Sequence, residues 1–81
     1  MRQITDDQGR VWEAVGAEAV VAHMRKGAVL AFRPAEEPAT EPVRTTITFN
    51  SQAAAALAIQ GMSDKELRRR LDWAKTSAGV A

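Results

Sequence analysis

The segment Met62 to Lys75 constrains this chain more than any other. Ser63 stands at a helix N-cap, and Glu66 follows three residues later. This spacing is a capping box: the Ser hydroxyl takes the N–H of Glu66, and the Glu carboxylate reaches back to the N–H of Ser63. Met62 before the cap and Leu67 after it sit where a hydrophobic staple places its two partners. Asp64 and Glu66 put negative charge in the first turn, and Lys75 puts positive charge in the last, as the helix dipole favours. Leu67, Leu71 and Ala74 recur at i, i+4 and i+7 and make one apolar stripe. The pattern predicts a helix from Asp64 to about Lys75, and that helix needs an apolar surface beneath it.

The rest of the chain must supply that surface. With 81 residues it makes a single domain with a small core. Apolar residues are 46% of the sequence, which excludes wholesale disorder. The N-terminal stretch Arg2 to Val15 reads as a hairpin turning at Asp6-Asp7-Gln8-Gly9, with Gly9 in the left-handed conformation. If Asp6 pairs with Arg10, then Ile4 faces Trp12, and Ile4, Trp12 and Ala14 share one face. The stretch 16–27 reads either way. Its alanines favour a helix stopped at Gly27. Its adjacent valines favour a strand, Val20 to Met24, turning at Arg25-Lys26-Gly27 and returning as Ala28 to Phe32. The strand is the preferred reading. Residues 28–33 form a short apolar run, as in a strand buried on both faces.

Three prolines and three glutamates within residues 34–42 then predict an exposed, semi-extended loop. Val43 to Phe49 alternates, with Val43, Thr45, Ile47 and Phe49 on one face: a strand. Ser51 caps a short alanine-rich helix over Gln52 to Gln60, stopped by Gly61. Residues 76–81 read as a frayed tail. The expected fold is therefore α+β: one antiparallel sheet of about four strands and two C-terminal helices, the second packed on one sheet face.

Two short stretches, Asp7-Gln8-Gly9-Arg10-Val11-Trp12 (D-x-G-R-x-W) and Ser63-Asp64-Lys65-Glu66-Leu67 (S-D-x-E-L), resemble a set of short bacterial proteins without known activity. In those, a small antiparallel sheet precedes a capped terminal helix. The resemblance covers the two ends of the chain. It implies the same fold and implies no activity.

Chemistry is sparse. There is no cysteine, so disulfides, thiolate metal sites and Cys nucleophiles are excluded. The N-terminus lacks a signal-peptide core, and no apolar run is long enough to span a bilayer; a soluble, cytoplasmic protein without a membrane partner is expected. His23 is the one histidine, and its nearest N-terminal acid, Glu18, is five residues away, neither helix-face nor strand-face spacing. It reads as a surface residue beside a turn. Asp6 and Asp7 are accounted for as turn residues, and Glu36, Glu37 and Glu41 as loop residues. The glycines are scattered singly, with no phosphate loop. No catalytic residue, metal ligand, cofactor site or small-molecule substrate is indicated, and the chain is expected not to be an enzyme.

One group stands out: Arg68, Arg69 and Arg70 with Trp73. On a helical wheel Trp73 lies roughly 100° or more from the apolar stripe, on the flank of Glu66 and Arg70. Arg70, at i−3, can lay its guanidinium over the indole. The group reads either as a solvated helix face with a Trp folded over the core's edge, or as a Trp/Arg patch that makes an interface for a protein partner or a second copy. The alternative is nucleic-acid binding, since Gln52 to Lys75 has the outline of a helix-turn-helix, with Arg25-Lys26 as further cations. Against it, Arg70 stands where an apolar residue is expected, and the net charge of the chain is +1.

Overall fold

The computed structural model describes residues 2–20, 24–37 and 39–79. Four strands, β1 (Arg2–Thr5), β2 (Val11–Val20), β3 (Lys26–Pro34) and β4 (Val43–Phe49), precede two helices, α1 (Gln52–Gly61) and α2 (Asp64–Ser77). The strands pair antiparallel in chain order, β1-β2-β3-β4. The α+β fold follows as the sequence predicts.

The first hairpin has the register read from its turn, with Ile4 opposite Trp12 and Thr5 opposite Val11. Asp6 N–H donates to the Arg10 carbonyl (2.9 Å), and Gly9 N–H to the Asp6 carbonyl (3.2 Å). Gly9 has φ +82°, a conformation that a side chain strains. Nothing lies within 4 Å of a Cβ built there, so the strain acts alone. Gly9→Ala is therefore expected to lower stability by about 1–2 kcal/mol, measured by urea denaturation. An unchanged midpoint would mean that the turn relaxes freely.

The second hairpin has the strands preferred for residues 16–27, with different bounds. β2 runs on without a break from Val11 to Val20, against β3 in one continuous register from Trp12↔Pro34 to Val20↔Lys26. The strand pairing overrides the helix propensity of the alanines, since a face resting on a core outweighs intrinsic preference. The turn comes earlier than Arg25-Lys26-Gly27: Lys26 and Gly27 already belong to β3, and Met24 has φ +59° instead of a strand geometry. His23 lies outside the described residues.

β3 is one of the two inner strands and is buried from Ala28 to Phe32 on both faces. Pro34 closes β3 as a buried residue, so the loop begins one residue later than the composition suggests. The reason is directional. Ala35 N–H donates to the Val11 carbonyl, so odd-numbered β3 residues face β2 and even-numbered ones face β4. The donor that Pro34 lacks would point toward β4, whose pairing ends at Phe32↔Val43. The Pro/Glu loop is exposed but anchored: Arg10 pairs with Glu36 (2.9 Å) and with Glu37 (3.8 Å).

β4 carries an irregularity. Val29 stands opposite Thr48 and Ala31 opposite Arg44, so Thr45, Thr46 and Ile47 stand opposite Leu30 alone. Two extra residues keep the alternation in phase, where one would have turned the rest of the strand inside out. Thr45 seals the gap: its buried hydroxyl donates to the Leu30 carbonyl (2.7 Å) and accepts from Ile47 N–H (3.1 Å).

Both helices cover one sheet face. Ile4, Trp12, Ala14, Leu30 and Phe32 meet Ile59 of α1 and Leu67, Leu71 and Ala74 of α2 in a single core. Ser51 caps α1 through Ala54 N–H (3.0 Å), and Ser63 caps α2 through Glu66 N–H (3.1 Å). Gly61 does not stop α1 in the predicted way; it stays helical, and Met62 is the C-cap. α2 extends beyond Lys75 to Ser77, so residues 76 and 77 of the predicted frayed tail are helical; residues 80–81 lie outside the described residues.

Among the described residues no helix covers the opposite sheet face. Arg33 pairs there with Glu13 (2.8 Å), and Arg44 crosses β3 to the Glu18 carbonyl (2.9 Å).

Candidate functional site

The strongest electrostatic site in the molecule is a buried carboxylate. Asp6 accepts from Trp12 Nε1 (2.9 Å), Lys75 Nζ (3.0 Å), and the N–H groups of Gln8 and Arg10 (2.9 Å each). Burial alone raises the pKa of a carboxyl group. Here the hydrogen bonds from Trp12, Lys75 and the backbone outweigh it and hold Asp6 well below the ordinary carboxylate range. The Arg10 guanidinium lies 5.0 Å from the Trp12 ring centroid, and Lys75 Nζ 5.8 Å.

This group adds to two readings. Lys75, placed in the last turn of α2, is also buried against Asp6, and Asp6 is more than a turn former. With four donors on its carboxylate and its side chain 1% exposed, Asp6 ties the first hairpin to α2. A signal for Lys75 was present: it stands at i+4 from Leu71, on the side of the apolar stripe.

The predicted patch is on the outside of α2. Arg68 and Arg69 are exposed, Arg70 is half-buried, and Trp73 is 47% exposed and absent from the core. Glu66 organises it, pairing with Arg69 and, at 3.1 Å, with Arg70. Desolvation raises the Glu66 pKa, and the two arginines more than reverse it, leaving it lowered. The capping box is therefore half formed: Ser63 caps the helix, while the Glu66 carboxylate turns to the arginines. For the same reason Arg70 does not stack on Trp73; the cation–π contacts of the described residues are on Trp12. Arg68 shares a shallow groove with Lys65, Arg69, Asp64 and Asp72, so acid and base alternate there.

Arg2 locks the corner between the helices. Its guanidinium donates to the carbonyls of Gln60 (3.2 Å) and Met62 (2.7 Å) and pairs with Asp64. These are the carbonyls that α1 leaves open at its C-terminus. Beside this corner is a cleft of about 350 Å³ between β2 and α1, with Val15 and Gly16 on one side and Gln52, Ala56 and Gln60 on the other.

Among the described residues no group of three or more His, Cys, Asp or Glu side chains is placed to hold a metal ion. None of their helices is long and apolar enough to cross a membrane. No protein-family model, curated protein or solved structure matches this chain.

Proposed function

We propose that this chain is a non-catalytic interaction module that binds a protein partner or a second copy of itself. The observation that carries this reading is Trp73. A large aromatic side chain is held half-exposed on a rigid helix, outside the core, beside two arginines fixed by one glutamate. Aromatic and arginine side chains are the residues that most often dominate binding energy, and a Trp left in water favours association.

Nucleic-acid binding through Arg68, Arg69 and Arg70 has weaker support. Glu66 neutralises two of the three, and Asp64 and Asp72 share the groove with Arg68. Arg25 and Lys26 sit on the β2–β3 hairpin, away from α2 in the chain. Duplex binding that falls steeply with salt would favour that alternative over protein binding.

Trp73→Ala tests the main reading. It is expected to weaken partner or self-association by more than about 1 kcal/mol. The melting temperature of the same protein should barely move. A sharp fall in melting temperature with association untouched would assign Trp73 to the core and remove the basis of the proposal.

A further inference from the structure

We infer that two copies of this chain pair along the second half of β2 and form one continuous sheet across a two-fold axis at Glu18. This rests on the reading of the chain as an interaction module, but uses a different surface from Trp73.

The first observation is an open strand edge. β2 has ten residues, and β1 pairs with it only from Val11 to Ala14. Beyond Ala14, no described residue pairs with that edge. The direction of its groups follows from the hairpin. Asp6 N–H meets the Arg10 carbonyl, and Val11 meets Ala35 on the other side. Even-numbered β2 residues therefore face β1, and Gly16, Glu18 and Val20 present their N–H and C=O groups to the lane that β1 leaves empty. The Glu18 carbonyl accepts from Arg44 and keeps a second lone pair.

The second observation is a knob and a hole on the same chain. Val20 is 71% exposed. The cleft between β2 and α1 lies on the helix-covered face, beside Gly16. A Cβ on Gly16 would meet Ala55 Cβ at 2.9 Å, so its own side of the cleft holds no side chain. A residue in the empty lane opposite Gly16 points its side chain into this cleft, past Ala56 and Ile59.

A two-fold axis through Glu18 satisfies both observations at once. It sets Gly16 opposite Val20 of the second copy and Ala17 opposite Ala19. Each copy then places its Val20 in the other's cleft, and the pairing is isologous. An axis through Ala17 fails, because it sets Val20 opposite Ala14, where Arg2 already pairs. The chosen axis brings the two Glu18 side chains directly across from one another. Like charges in that position oppose pairing, so the association is weak by construction.

The test is sedimentation equilibrium from micromolar to millimolar protein, on wild type, Val20→Lys, Glu18→Gln and Trp73→Ala, with melting temperatures alongside. The expected result is concentration-dependent dimerisation of the wild type. Val20→Lys weakens it at least about tenfold at unchanged melting temperature. Glu18→Gln tightens it by about two- to fivefold. Amide exchange at Gly16 and Val20 slows as concentration rises. A wild type that stays monomeric at millimolar concentration overturns the inference. So does a dimer indifferent to Val20→Lys. If Trp73→Ala abolishes that dimer, the module reading survives with α2 as the interface; if neither substitution affects it, the β2 pairing is overturned and Trp73 loses its role in self-association.

Discussion

Asp6→Asn is expected to destabilise the fold by about 3–5 kcal/mol, the usual cost of breaking a buried ion pair from one side. The substitution keeps size and shape, so packing does not confound it. An amide nitrogen placed among Trp12 Nε1 and Lys75 Nζ sets donor against donor, and the Lys75 ammonium loses its counter-charge. The pH dependence has a definite sign. The folded-state pKa of Asp6 is lowered from 3.8. Its contribution is therefore fully present above about pH 4, the unfolded-state value, and drains away as pH falls toward the depressed folded value. Urea denaturation at a series of pH values checks this. The Asn variant should lose most of the wild type's acid-induced decline. An equally steep decline in the variant would assign acid sensitivity to other carboxyl groups. Glu36 and Glu66 also have lowered pKa values, but both are open to solvent and screened.

Leu71→Ala should lower stability by about 2–5 kcal/mol. Leu71 is fully buried and lies in the same cluster as Trp12 and Phe32. A domain of this length holds roughly 4–12 kcal/mol in all. A loss near the upper end therefore leaves a substantial unfolded population at room temperature. Thermal denaturation by circular dichroism measures it. An unshifted melting curve would mean that α2 does not pack as described.

The features that proved legible share one property: the sequence signal and the structural cause lie within a few residues of each other. The turn at Gly9, the cap at Ser63, the alternation of Val43 to Phe49 and the stripe Leu67/Leu71/Ala74 are local. From them the α+β order of elements follows. The errors come from distance. The strand preferred within residues 16–27 is present over 16–20, but its bounds and its turn are set by β3 lying alongside, which local composition does not reveal. Glu66 satisfies the spacing of a capping box, yet Arg69 and Arg70 compete for it and win. Lys75 is pulled inward by a carboxylate sixty-nine residues earlier in the chain. Of the surface group, Arg68 and Arg69 are exposed as the helical wheel predicts, Trp73, which the wheel left open, is exposed too, and the Arg70–Trp73 stack is replaced by a pair with Glu66. The open edge of β2 follows from a mismatch between the lengths of β1 and β2.

The Asp6–Lys75 bond also sets an order of events. In a chain being synthesised, the hairpin that carries Asp6 is finished while α2 is still unmade. At that stage Asp6 can use its turn amides and Trp12, but its counter-charge has not yet arrived. The Arg2 clasp on Met62 and Asp64 waits for the same segment. The two helices thus do not simply settle on a finished sheet; they complete its charge balance and fasten its first strand. These two contacts join residues sixty or more positions apart, so the loop-closure entropy between the chain's two ends is met only when α2 docks.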